Sequence, residues 1–192
     1  MAQNVSEQGL TRDELMALRN KRTGMTVFQV SWIMAFVCLI VVNWQIRNNA
    51  PSWPPPGVEP LSSTLPTIVT FFLVASGWLV HNALQAINVN QLGRFFSQWR
   101  VALLLGAAFV VVIGYEWITI PSSGMYSTVY RVMTAFHAIH AIVIGLYMWN
   151  VERRVRAGQV TSHDTWAVEA GTKLWYFVIV AWIMFYVVLY VL

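Results

Sequence analysis

Five stretches of the chain, residues 25–46, 65–87, 101–120, 128–150 and 174–192, are apolar with almost no charge, and polar segments separate them. Each approaches the roughly 20 residues that a helix needs to cross the hydrocarbon core of a bilayer. The pattern predicts an all-α fold: a polytopic membrane bundle of five transmembrane helices. Ahead of the first run, Thr11 and Glu14 stand in capping-box spacing before Leu15, Met16 and Leu18, which predicts a short surface helix. That first run is too long for the apolar region of a signal peptide and has no small-residue cleavage site behind it, so it is read as an uncleaved span. No tandem repeat or Gly/Ser linker divides the remainder. The expected organisation is an N-terminal segment over residues 1–24 and a single five-helix domain over residues 25–192.

Composition agrees with this reading: 57% of the 192 residues are hydrophobic and 10% charged, against about 25% charged in soluble domains. The net charge of +4 does not indicate a nucleic-acid partner, because the basic residues sit at helix ends rather than in a stripe with exposed aromatics. They carry topology instead. With five spans and the N-terminus inside, only Arg47 and Arg131 of the 12 basic residues fall on the outer side. The positive-inside rule therefore places the N-terminus in the cytoplasm and the C-terminus outside. On the outer side, the segment NNAPSWPPPGVEP reads as a stiff arm, since Pro54, Pro55 and Pro56 fix extended backbone. On the inner side, the long 151–172 loop opens with a basic cluster suited to anionic headgroups or to a partner's acidic loop. The single cysteine, Cys38, lies in an apolar run and reads as a packing residue. Of the ten tryptophans, Trp44, Trp53, Trp99, Trp117, Trp149 and Trp175 fall near span ends and are expected to form the interfacial belt. Trp32, Trp78 and Trp182 lie deeper.

The fourth stretch contains His137 and His140 in mid-span, which is costly in lipid unless another helix covers them. Thr134, Ala138, Ala141 and Gly145 recur along it at spacings of four, three and four, a strip of small residues that lets neighbouring backbones approach. Other ionisable candidates are His81 in the second span, Glu116 near the outer end of the third and Arg131 near the start of the fourth. A Glu116–Arg131 ion pair is one expectation; separate snorkelling to headgroups is the other. The histidines read either as hydrogen-bond partners across packed helices or as haem ligands, with His81 opposing His137 or His140. Metal, phosphate-loop and nucleophile-elbow motifs are absent from the sequence. Paired broken helices of the kind found in transporters are not apparent either.

Several ordered stretches resemble subunit III of the haem-copper oxidases, in its short five-span bacterial form. WPPPG at residues 53–57 is similar to the family's Trp-Pro-Pro loop, and LPTIVTFFLVASG follows as its second-span pattern. Leu105, Gly106 and Phe109, then Tyr115, Glu116 and Trp117, resemble a Leu-Gly-x-x-Phe run ending in glutamate and an aromatic. FHAIH resembles the family's Phe-His-Gly-Leu-His, and Glu169, Trp175, Phe177, Val178 and Trp182 stand at the spacing of its last helix. The chain departs from the family pattern at Ile113, Ala138, Tyr176 and Ile179, and its first span carries only Gln29 and Asn43 where the family usually has a glutamate. The resemblance implies a non-catalytic accessory subunit of a respiratory terminal oxidase in the bacterial cytoplasmic membrane. It implies packing against subunits I and II, phospholipids held in a cleft between helices, and support for proton uptake. No cofactor is expected in this chain; haem and copper are expected in the partners. The reading from another class is a small b-type cytochrome anchor built on His81 with His137 or His140. The electron donor, cytochrome c or quinol, is left open.

Overall fold

The computed structural model describes residues 11–121, 124–160 and 164–192. Five helices follow one another: α1, Arg12–Asn49; α2, Thr64–Asn88; α3, Leu92–Thr119; α4, Met125–Arg156; and α5, Trp166–Tyr186, which continues into a π-helical turn, Val187–Val191. All five are long and apolar enough to cross a membrane.

The helices outrun the apolar stretches, because hydropathy marks what lipid can hold and not where backbone hydrogen bonding stops. At the N-terminus the expected capping box is present: the Glu14 amide donates to Thr11 Oγ1 at 3.4 Å and the Thr11 amide to Glu14 Oε2 at 2.8 Å. The short surface helix expected behind it is not a separate element, however. α1 runs for 38 residues without a break, since residues 12–23 are mostly good helix formers and Gly24 alone weakens a helix without ending it. Likewise α4 gains its last turn from Arg153, Arg154 and Arg156, whose charges suit the negative end of the helix dipole. Between α2 and α3 the chain reverses tightly, with Asn90 at φ 59° and the Gln91 amide bonded to the Ala86 carbonyl at 2.8 Å.

α2 and α3 form the most intimate pair, and α5 is the central helix, packed on α1, α2 and α4. α1 is peripheral: on it only Phe36 and Asn43 are fully buried. The proline-rich arm folds back over the N-terminal end of α4, where Trp53 lies edge-on to Tyr126 at 5.0 Å and the Leu61 amide donates to the Tyr126 hydroxyl.

Two tryptophans expected in the interfacial belt belong to the core. Trp99 and Trp175 are 0% and 2% exposed. Each indole N–H is satisfied across a helix boundary, Trp99 by the Met148 carbonyl at 3.0 Å and Trp175 by Ser76 Oγ at 2.8 Å. Trp182 is buried in the same way and donates to Thr70 Oγ1 at 2.8 Å. Buried indoles are tolerated when the polar edge finds an acceptor. Trp44, Trp117 and Trp149 are exposed, as a belt requires, and so is the deeper Trp78.

Gly106 lets a side chain of α5 reach the backbone of α3. A Cβ there would collide with the Cη2 and Cζ2 atoms of Trp175, so the indole abuts the α3 backbone.

Candidate functional site

α4 places His137 at the centre of the bundle, fully buried. Its Nε2–H donates to the Val178 carbonyl on α5 at 2.9 Å, and rings of Phe36, Phe109, Trp182 and Phe185 surround it. The other ring nitrogen, Nδ1, is buried without a partner. His140, one turn on, turns its Nδ1–H back to the Phe136 carbonyl at 2.5 Å and meets Trp32 edge-on at 4.9 Å. An aromatic side chain thus stands on α1 against His140, in a span that lacks the glutamate of the family pattern.

His81 belongs to a different environment. The Gln85 amide donates to its Nε2 at 2.8 Å, which leaves the proton on Nδ1 to be donated to the Tyr176 hydroxyl at 3.0 Å. Both of its nitrogens are engaged, and neither α4 histidine is among its partners. Among the described residues no group of three or more His, Cys, Asp and Glu side chains is arranged to hold a metal ion.

Glu116 and Arg131 do not pair, contrary to one of the two sequence expectations. The carboxylate accepts from Tyr130 and from Tyr190, each at 3.0 Å, and the two hydroxyls lie 2.9 Å apart. Arg131 instead donates to the Ile120 carbonyl at 2.8 Å, caps the end of α3 and sits over the Trp117 ring at 5.8 Å. Adjacent residues on a helix point about 100° apart. Since Tyr130 faces Glu116, Arg131 must face elsewhere. We expect Glu116→Leu to cost about 1–3 kcal/mol by removing the acceptor of two buried hydroxyls. A Glu116→Leu/Arg131→Gln double variant should be additive within about 0.5 kcal/mol. Thermal denaturation of the solubilised protein measures both, and a coupling well above that would restore the ion pair.

Two charge clusters stand at the opposite end of the bundle. In one, Arg22 of α1 grips Glu169 of α5 with Nε and Nη2, both at 2.9 Å, while Lys173 approaches the same carboxylate at 3.0 Å. In the other, Arg100 of α3 and Arg156 of α4 converge on Oε1 of the buried Glu152, at 2.7 and 2.6 Å. The sequence assigns these bases to topology and, for the cluster that opens the 151–172 loop, to headgroups or a partner's acidic loop, and does not anticipate the intrachain ion pairs. The usable signal was the i,i+4 spacing of Glu152 with Arg156 and of Glu169 with Lys173. Beside the first cluster lies a polar pocket of about 250 Å³, lined by His81, Gln85, Asn88, Glu169, Lys173 and Tyr176 among others.

The small-residue strip of α4 does not seat a neighbouring backbone along its whole length. Thr134 and Ala141 are buried, but a Cβ added at Gly145 would meet nothing within 4 Å. The strip lines a groove between α3 and α4. One section of about 560 Å³ runs past Gly106, Ala107, Ala141, Gly145 and Trp149, with Trp175 among its walls. A second, of about 250 Å³, continues past Gly114, Thr134, Ala138 and Trp117, and the two share Val110 and Ile142.

An apolar groove between α3 and α4 thus runs beside a histidine-bearing core in a bundle of five potential membrane spans. The profile of cytochrome c oxidase subunit III matches residues 4–192, nearly the whole chain. The chain belongs to the cytochrome c oxidase subunit III family. It is 28% identical over 173 residues to cytochrome c oxidase subunit 3 of Thermostichus vulcanus, covering 88% of this chain and 86% of that one. Against the Synechocystis sp. protein of the same name identity is 26% over 173 residues, covering 88% and 74%. The Bos taurus protein of that name is 28% identical over 185 residues, covering 88% and 68%. Family membership does not favour the cytochrome-anchor reading, and the separate engagement of His81 points the same way.

Proposed function

We propose that this chain is the accessory subunit III of a cytochrome c oxidase-type terminal oxidase, docked on subunits I and II in a bacterial cytoplasmic membrane with its N-terminus inside. The family match over residues 4–192 carries the reading. Haem and copper reside in the partners. This chain contributes no step of oxygen reduction; it stabilises the catalytic subunit, binds phospholipid and supports proton uptake. The described basic residues support the orientation: apart from Arg47 and Arg131, all lie at the end of the bundle that carries the two charge clusters or on the helix ends beside it. The polar pocket around His81, Glu169 and Lys173 at that end supports a place near proton entry.

Purification of the native complex through a tag on this chain tests the proposal. A haem- and copper-containing, histidine-rich subunit and a second membrane subunit should co-migrate with it. Protease applied to intact cells should spare an N-terminal tag and remove a C-terminal one. Migration alone with a b-type absorbance band would overturn the assignment, and outer-side cleavage of the N-terminal tag would overturn the topology.

A further inference from the structure

We propose that one water molecule is a structural ligand of this protein, held between Asn43 of α1, Tyr126 and Tyr130 of α4 and the proline-rich arm. The inference does not depend on what the chain docks to, since it concerns how the chain closes on itself.

α1 lies at the edge of the bundle, and of its residues only Phe36 and Asn43 are fully buried. An amide withdrawn from solvent costs free energy unless its polar atoms find partners. Asn43 is 2% exposed, yet its Oδ1 is buried with no hydrogen-bond partner among the described residues. It lines a cavity of about 10 Å³ walled by Trp53 and Leu61 of the arm, Val129 of α4, and Val188 and Leu189 of the turn after α5. That space suits one water and nothing larger.

Tyr126 lines the same cavity and is likewise buried. Its oxygen accepts from the Leu61 amide at 3.2 Å, while its own proton meets no acceptor among the described residues. A buried acceptor that needs a donor and a buried donor that needs an acceptor thus border one space, with no direct bond between them. Water answers both needs. It accepts the proton of Tyr126, gives one of its own to Asn43 Oδ1 and directs the other at the Tyr130 oxygen, whose proton already goes to Glu116 at 3.0 Å. Three bonds is the usual complement of a buried water. A metal cation is the poorer occupant, because the cavity is lined by a neutral amide and neutral phenols and Glu116 is not among its walls. The water joins α1 and the arm to the Glu116, Tyr130 and Tyr190 cluster, so segments far apart in sequence share one hydrogen-bond network.

A cryo-EM map of the native membrane assembly, resolved well enough to show ordered water, tests the inference directly. A single peak should lie within about 3.2 Å of both Asn43 Oδ1 and Tyr126 Oη. Asn43→Leu, which removes the acceptor at nearly constant volume, should lose that peak. Thermal denaturation of the solubilised protein supplies an independent readout. The Tm change caused by Asn43→Leu should shrink by at least about half in a Tyr126→Phe background, because two side chains that do not touch are coupled only through the bridge. No peak in the wild-type map, an Asn43 amide turned onto a protein donor, a lipid or partner side chain in the space, or an equal Tm change in both backgrounds would each overturn the inference. The wild-type map decides the matter even if a variant fails to fold.

Discussion

Trp175→Ala should be among the most damaging single changes in this chain, costing about 3–5 kcal/mol as a buried aromatic truncation. The indole spans two interfaces at once, donating to Ser76 on α2 and lying on the backbone of α3 at Gly106. Its loss empties a site where helix axes are already fixed by neighbours, so little collapse can follow. The complementary change, Gly106→Ala, should cost about 1–3 kcal/mol by overpacking, because the new methyl drives the ring off α3 and away from Ser76. The decisive measurement is the double variant. If the alanine at 106 harms only by colliding with the indole, Gly106→Ala should be nearly silent in a Trp175→Ala background. Equal costs in both backgrounds, read from thermal or detergent denaturation, would show that Gly106 is needed for some other reason.

His137→Ala is the second change with a large expected effect, about 2–5 kcal/mol. It opens a cavity among Phe36, Phe109, Trp182 and Phe185 and deletes the bond from α4 to the Val178 carbonyl of α5. In lipid, helix association depends on packing and interhelical hydrogen bonds, with no gain from removing apolar surface from water. The variant should therefore leave the complex at a lower detergent concentration than wild type. The absorbance spectrum of the purified chain separates this structural role from haem ligation. A b-type band that scales with the polypeptide and vanishes in His137→Ala would overturn the reading of His137 as a packing donor.

Much of this arrangement was legible in the sequence for a simple reason: five uninterrupted apolar runs admit few other folds. His137 and His140 announced a covered helix because uncovered imidazoles in lipid are costly. What stayed illegible depended on direction around each helix axis. Trp99 and Trp175 have the linear positions of belt residues, and only the packed structure brings the Met148 carbonyl and Ser76 Oγ to their indole edges. Glu116 and Arg131 are near in the chain's layout, but a single-residue offset gives the carboxylate to Tyr130. Tyr190 reaches it from the π-helical turn at the far end of the chain. The small strip on α4 was visible as a spacing, while its use as a groove wall depended on Gly114 and on how far α3 stands off.

The polar contacts of α1 with the rest of the bundle have an unusual reach in sequence. Arg22 is fixed by Glu169, 147 residues later, and the Gln29 amide donates to the Lys173 carbonyl, 144 residues later. Arg47 donates to the terminal carbonyl at Leu192. All three partners lie on α5 or in the turn that follows it. The polar anchors of α1 thus form only once α5 is in place. Until then α1 is a tethered span rather than a docked one, and loss of α5 undoes its attachment.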